Sequence, residues 1–154
     1  MSLRTAKSDI AFMNALFTTA EREAHALGDP TMAAEHLVIA ALANEQLEHA
    51  ALRALGLDSD RFRNAVVAVH AEALDGVGVE GAPAPITDRS RGVLHSTATA
   101  QQVFQAARRR AKSARSALRV SDIVIAAAGL EHGTTARALA YLGVDRGAIE
   151  TIDA

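Results

Sequence analysis

The chain has 154 residues, of which 49% are hydrophobic and only 3% aromatic, and its formal net charge is −2. It contains no cysteine, which excludes disulfides and cysteine-ligated metal sites, and its near-neutral charge argues against a wholly basic nucleic-acid-binding protein. The 35 alanines and the scarcity of aromatic residues favour closely packed helices over β-sheets. No signal peptide or membrane-spanning run is evident, so we expect a cytoplasmic protein, and a monomer.

Four helices are predicted in the first half of the chain, from apolar residues spaced three and four apart. They run over about residues 9–27, 34–44, 47–55 and 61–74. Asp9 and Asp58 are the expected N-caps of the first and the fourth helix, because a carboxylate accepts hydrogen bonds from the free amides of a first turn. The second helix is apolar nearly all round, which predicts that it is buried.

A change of composition separates the two halves. Residues 75–95 begin with a stretch rich in glycine and proline and show no hydrophobic period, which predicts a linker. Limited proteolysis is expected to cut this linker first. A further helix is predicted from about residue 96 to residue 114.

An internal repeat relates the two halves. Residues 32–42 align with residues 118–128 at an offset of 86, and residues 52–58 align with residues 139–145 at an offset of 87. Two segments matched in the same order indicate a duplicated unit of four helices.

The repeat predicts the fold class. A four-helix unit alone cannot hide all its apolar faces, so the two units are expected to pack together about a pseudo-twofold axis. The prediction is an all-α protein of two pseudo-symmetric four-helix repeats, residues 9–74 and 96–150, forming one compact domain. In this alignment the offset of 86 also applies to the first helix of each unit and places Ala24 over Arg110.

No motif for catalysis, a cofactor or a metal ion is present. The six histidines do not pair with one another at helical spacing, and His36, at the start of an apolar helix, is expected to bond locally. The chain has no Gly-x-Ser-x-Gly sequence and no phosphate-binding loop. We therefore expect a protein that is not an enzyme and that has no catalytic residues, cofactor or metal site.

Residues 108–119 carry six positive charges and no acidic residue. Four of these charges step by 4, 3 and 4 residues, which places them on one helical face if the helix continues that far: Arg108, Lys112, Arg115 and Arg119. Such a face is either a solvated surface or a dock for an anion, an acidic protein or nucleic acid. No aromatic residues interleave to stack bases, so we expect a protein partner rather than nucleic acid.

Several blocks of the first repeat carry a resemblance to a known family. They are Ala20-Glu21-Arg22-Glu23-Ala24, Gly28, Glu35-His36-Leu37-Val38-Ile39-Ala40-Ala41-Leu42 and Leu52-Arg53-Ala54-Leu55-Gly56-Leu57-Asp58. In this spacing they resemble the Clp N-terminal domain, the double repeat that precedes the ATPase modules of the ClpA and ClpC unfoldases. The resemblance extends from about residue 9 to residue 149 and is weaker in the second repeat, where Ser121 and Asp122 replace the Glu-His pair.

The resemblance implies a function. It implies a non-enzymatic module that binds protein substrates or adaptors of a Clp chaperone–protease, either as an excised N-domain or as a free-standing protein that competes with the chaperone's own N-domain. Cyclic-peptide ligands are further partners implied by the resemblance alone. The rival interpretation is a small anion- or nucleic-acid-binding regulator that uses the basic residues 108–119.

Glu35 has two interpretations. Its carboxylate at the first turn of a helix is favourable with the helix dipole, which is a structural role. In ClpC-type relatives, the resemblance implies, the same glutamate helps to hold the guanidinium group of a phosphorylated arginine in a substrate. Ser121 stands at the symmetric position of the second repeat, with Asp122 displaced by one residue. The implied candidates for phosphoarginine binding are therefore Glu35, Ser121 and Asp122, with at most half of a duplicated site retained.

Overall fold

The structure is a computed structural model that describes residues 3–44, 50–76, 78 and 95–152, with side chains from residue 8 onward. In these ranges it contains eight helices and no strand, which confirms the all-α prediction: α1 (Leu3–Leu27), α2 (Ala34–Leu42), α3 (Ala50–Ala54), α4 (Ser59–Asp75), α5 (Ala98–Ser113), α6 (Val120–Ala128), α7 (Thr134–Tyr141) and α8 (Arg146–Glu150). None of these helices is both long and apolar enough to cross a membrane.

The helices form two sets of four that correspond in order and in packing. Helix α1 packs on α2 as α5 packs on α6, and α2 and α6 pack on each other between the two sets. Both central helices are nine residues long and largely apolar, and every residue of α2 is buried. Fully burying one Leu, Ile or Val side chain stabilises the fold by about 1.5–3 kcal/mol, so this central pair contributes strongly to joining the two sets. Helix α4 of the first set also packs on α7 of the second.

Asp9 is not an N-cap, contrary to the prediction. Helix α1 begins at Leu3, so Asp9 lies inside it. Its Oδ1 atom accepts a hydrogen bond from the backbone amide of Leu118, 3.0 Å away in the other half. Met32 is the residue that aligns with Leu118 in the first repeat. Its amide donates to the backbone carbonyl of His95 in the second half, also at 3.0 Å. A side chain replaces a backbone acceptor here because the carbonyls inside α1 are already used by the helix.

The offset between α1 and α5 is 87 residues, so the predicted alignment of Ala24 with Arg110 is wrong by one residue. The amide of Asp29 donates to the Ala24 carbonyl at 2.9 Å, and the amide of Ser116 donates to the Ala111 carbonyl at 3.0 Å. Each hydrogen bond closes a six-residue turn at the end of its helix, so the two bonds are equivalent. Ala24 and Ala111 are both buried, so alanine faces the core at this position in each half.

Two aromatic rings agree with this offset. Phe17 of α1 and Phe104 of α5 are also 87 residues apart. Their rings meet edge to face across the two halves, with centroids 4.9 Å apart. Edge-to-face pairs add about 0.5–1.5 kcal/mol to the burial of the rings.

Other predicted boundaries are confirmed or lie outside the described ranges. Asp58 caps α4, since its carboxylate accepts from the amide of Arg61 at 2.8 Å. Residues 47–49 of the predicted third helix, and residues 77 and 79–94 of the predicted linker, lie outside the described ranges.

Candidate functional site

The start of α2 is fixed by His36, which is fully buried. Its Nδ1 atom accepts a hydrogen bond from the amide of Ala33 at 2.8 Å, and its Nε2 atom lies 3.0 Å from Oδ2 of Asp29. Because Nδ1 is the acceptor, the ring proton is on Nε2 and is donated to Asp29. The predicted local bonding of His36 is confirmed, and both ring nitrogens are used.

Glu35, the preceding residue, contacts the other half of the molecule. Its Oε2 atom accepts a hydrogen bond from the hydroxyl of Thr135, at 3.2 Å, and both residues are buried. Thr135 is in the first turn of α7, and the N-cap of that helix, Gly133, supplies no side-chain acceptor. A carboxylate near the start of a helix is electrostatically favourable. The structural role expected for Glu35 therefore extends to α7 of the other half.

The second carboxylate oxygen of Glu35, Oε1, has no hydrogen-bond partner among the described residues and is not fully buried. Among the described residues, the fully buried side-chain polar atoms without a partner are Nε of Arg110 and Oγ of Ser116, and Oε1 of Glu35 is not one of them. Glu35 as a whole retains 8% exposure. Oε1 therefore keeps a small contact with solvent, while Oε2 accepts from Thr135.

The equivalent position in the second half is built differently. Oδ2 of Asp122 accepts a hydrogen bond from the amide of Arg119 at 3.0 Å, as Nδ1 of His36 does from Ala33. Asp122 thus occupies the place of His36, and Ser121 the place of Glu35. Asp122 is only 1% exposed, and the guanidinium Nε atoms of Arg110 and Arg119 lie 3.7 and 3.8 Å from its carboxylate. The negative charge of Asp122 is therefore paired with groups around the start of α6.

The four basic candidates do not lie on one continuous helix. Helix α5 ends at Ser113, and Arg115 follows with a φ of 53°. This is the left-handed conformation that usually requires glycine, and an arginine gives no sequence signal for it. Arg119 is the N-cap of α6. All four side chains are nevertheless exposed: Arg108, Lys112, Arg115 and Arg119. The guanidinium group of Arg108 lies 5.9 Å from the centre of the Phe104 ring.

Thr135 is the site residue that sequence reasoning missed. It lies 100 residues from Glu35, in a segment without a functional motif. Its hydroxyl reaches Glu35 only because the halves pack together.

In the described ranges, no group of three or more histidine, aspartate or glutamate side chains is arranged to hold a metal ion.

Comparison with known structures identifies the fold. The chain is similar to the N-terminal domain of the caseinolytic protease-associated chaperone ClpD from Arabidopsis thaliana, with a TM-score of 0.66 over 90% of this chain and 87% of that one. The chain has the Clp N-domain fold. The two sequences are 21% identical, so the Clp N-domain likeness is one of fold. No model of a protein family and no curated protein matches the sequence.

Proposed function

We propose that this chain is a non-enzymatic module that binds protein substrates or adaptors of a Clp chaperone–protease, as a monomer in the cytoplasm. The observation that supports this proposal is the Clp N-domain fold along 90% of the chain, with a chaperone domain as its structural neighbour. In free-standing form the module would compete with the chaperone's own N-domain for substrates, adaptors or cyclic peptides.

Within this function, we propose Glu35 as the contact for the guanidinium group of arginine or phosphoarginine in a substrate. Arginine presents a planar fork of N–H donors, for which a carboxylate is the matching acceptor. The position supports the proposal because Glu35 keeps a small exposed fraction at the start of α2, which the bonds of His36 hold in place. Ser121 has no carboxylate and Asp122 is buried, so we expect one such site per chain and weak binding.

A pulldown tests the proposed function. The immobilised chain is incubated with an unfolded model protein, either phosphorylated on arginine or unphosphorylated, and retention is measured. We expect more of the phosphorylated protein to be retained, and Glu35→Gln to remove the difference. The matched control is Glu150→Gln on α8, which alters an exposed carboxylate. Equal retention of both forms by the wild-type chain would contradict the role of Glu35, and no retention of either would contradict substrate binding.

The exposed basic residues support an additional docking role. We propose that Arg108, Lys112 and Arg115 contact an acidic surface of an adaptor or chaperone partner. Reversing these three charges should leave the fold intact, since all three side chains are exposed, and should weaken such an interaction. Micromolar, salt-sensitive binding of nucleic acid that disappears in the triple variant would favour the rival regulator instead.

A further inference from the structure

We propose that the guanidinium group of Arg110 binds an oxyanion, a phosphate or carboxylate group, at the surface beside the end of α5. The site lies in the second half of the molecule and does not depend on Glu35. Two observations carry the proposal: the charges around this helix end are reversed between the two halves, and the reversal leaves Arg110 without the acceptor that its position would require.

The position of Arg110 corresponds to that of Glu23. Helices α5 and α1 are related by 87 residues, and α8 and α4 begin 87 residues apart, so Glu150 corresponds to Arg63. In the first half this pair is closed, because Arg63 donates two hydrogen bonds to the Glu23 carboxylate, at 2.8 and 2.9 Å. In the second half the two charges are exchanged and the pair is open, since Arg110 faces Asp122 instead.

Asp122 does not satisfy the guanidinium group of Arg110. The Nε atom of Arg110 lies 3.7 Å from Oδ1 of Asp122, which is too far for a hydrogen bond, and this buried Nε has no partner among the described residues. Asp122 also accepts from the amide of Arg119 and lies 3.8 Å from the Nε atom of that residue. One carboxylate is therefore shared between two arginines, and Arg110 keeps donors for a further acceptor.

The terminal nitrogens of Arg110 can meet a ligand from solvent. The side chain is 39% exposed, and in the described part of the chain its terminal nitrogens, unlike Nε, are not among the buried atoms without a partner. Two terminal N–H donors form a planar fork that matches two oxygens of a phosphate or carboxylate group. Because burial holds the inner part of the side chain beside Asp122, less rotamer freedom is lost on binding than for a fully exposed arginine.

The surroundings lack the carboxylates that would repel an anion in the first half. Ser116 stands at the place of Asp29, and Ser121 at the place of Glu35, so two acidic positions are uncharged here. The remaining acid, Asp122, is only 1% exposed and faces two guanidinium groups. A region that is acidic beside α2 is therefore basic beside α6, which favours an anionic ligand.

Titration with inorganic phosphate at constant ionic strength tests the site. The Nε–H group of Arg110 gives its own signal in a nitrogen–proton NMR spectrum, and Arg110→Lys identifies that signal by its loss. We expect the signal to shift and to saturate in wild type. Arg110→Gln, followed through the backbone amides of residues 110–122, should bind phosphate about ten- to hundredfold more weakly, because a charge-assisted hydrogen bond is lost.

Two control variants separate the site from general charge effects and from the proposed function. Arg109→Gln removes the same charge from an exposed neighbour on α5 and should bind phosphate nearly as wild type does. Glu35→Gln should leave phosphate binding unchanged. A second titration compares a short phosphoserine peptide with the same peptide carrying serine. Competition between the phosphopeptide and phosphate for the Arg110 signal would assign the ligand to a partner protein, and binding of phosphate alone would assign it to a free anion.

The wild-type signal decides the question even if Arg110→Gln does not fold, which circular dichroism and urea unfolding establish. An Arg110 signal that stays in place in both titrations would overturn the proposal. Equal weakening by Arg109→Gln and Arg110→Gln would also overturn it, because the binding would then be non-specific attraction to the basic residues. Either result would leave the proposed contact at Glu35 standing, since that contact is in the other half.

Discussion

The carboxylate of Asp9 accepts the backbone amide of Leu118 at 3.0 Å, a hydrogen bond that spans 109 residues of sequence. It ties α1 of the first half to the segment that leads into α6 of the second. Removing this acceptor leaves the Leu118 amide without its partner. We therefore expect Asp9→Ala to lower the free energy of unfolding by about 1–2 kcal/mol. Asp9→Asn keeps an acceptor oxygen and should lose less than half as much in urea denaturation. Equal losses would show that the hydrogen bond does not matter.

His36 and Asp29 form a pair whose second-half counterparts have a different chemistry. His36→Asp copies the residue found at Asp122, but in the first half it places a new carboxylate near Asp29. It also leaves a cavity, so we expect a loss of about 2–4 kcal/mol in unfolding free energy. Adding Asp29→Ser, the residue type of Ser116, removes the repulsion and should recover about 1 kcal/mol. A double variant as unstable as the single one would contradict this account of the pair.

Arg63 of α4 donates two hydrogen bonds to the carboxylate of Glu23 in α1. Its Nε atom lies 2.8 Å from one carboxylate oxygen, and a terminal guanidinium nitrogen lies 2.9 Å from the other. This hydrogen bonding raises the pKa of Arg63 above its ordinary value. As far as the titration of Arg63 is concerned, the stabilisation is fully present below the ordinary pKa of arginine and is lost as the pH rises through the raised pKa. Arg63→Lys keeps the charge but cannot fork, so we expect it to lower stability by about 1 kcal/mol.

The pH dependence gives a second check on this ion pair. The stability difference between wild type and Arg63→Gln should be the same at pH 7 and pH 9, because Arg63 stays protonated at both. A difference that shrinks between these pH values would show that another group is responsible.

Arg115 adopts a φ of 53° where the end of α1 has Gly28, with a φ of 79°. An L-residue in the left-handed region is strained by about 1 kcal/mol, and glycine is not. We expect Arg115→Gly to raise the free energy of unfolding by about 0.5 kcal/mol, since glycine loses some of the gain through its flexible unfolded state. The reciprocal change, Gly28→Ala, should lower it by about 1 kcal/mol. Thermal unfolding of the two variants measures both, and shifts in the same direction would refute the explanation.

The features predictable from sequence are those that repeat or that are local. The buried helix α2, the cap at Asp58 and the pairing of two four-helix units follow from hydrophobic period and turn chemistry within a few residues. The sequence alone could not decide the offset between α1 and α5, because alanine-rich helices align almost equally well at 86 and 87 residues. The backbone hydrogen bonds accepted by the carbonyls of Ala24 and Ala111 decide between the two offsets.

Contacts between the halves could not be read from the sequence. Thr135 has no motif around it, and its role exists only because α7 approaches the start of α2. The left-handed turn at Arg115, which separates the basic residues of α5 from Arg119, could not be predicted for a related reason, since its residue type does not signal that conformation. Long-range packing decides such positions, and local preference does not.

The proposed substrate site is tested most directly by titrating the chain with a short peptide that carries one phosphoarginine, alongside the same peptide with unmodified arginine. Wild type should bind the phosphorylated peptide at one site per chain. Glu35→Gln should weaken it about ten- to hundredfold, because a charge-assisted hydrogen bond to a carboxylate is lost. Glu150→Gln should bind like wild type. Two equivalent sites, or unchanged affinity in Glu35→Gln, would contradict the assignment of the site to Glu35.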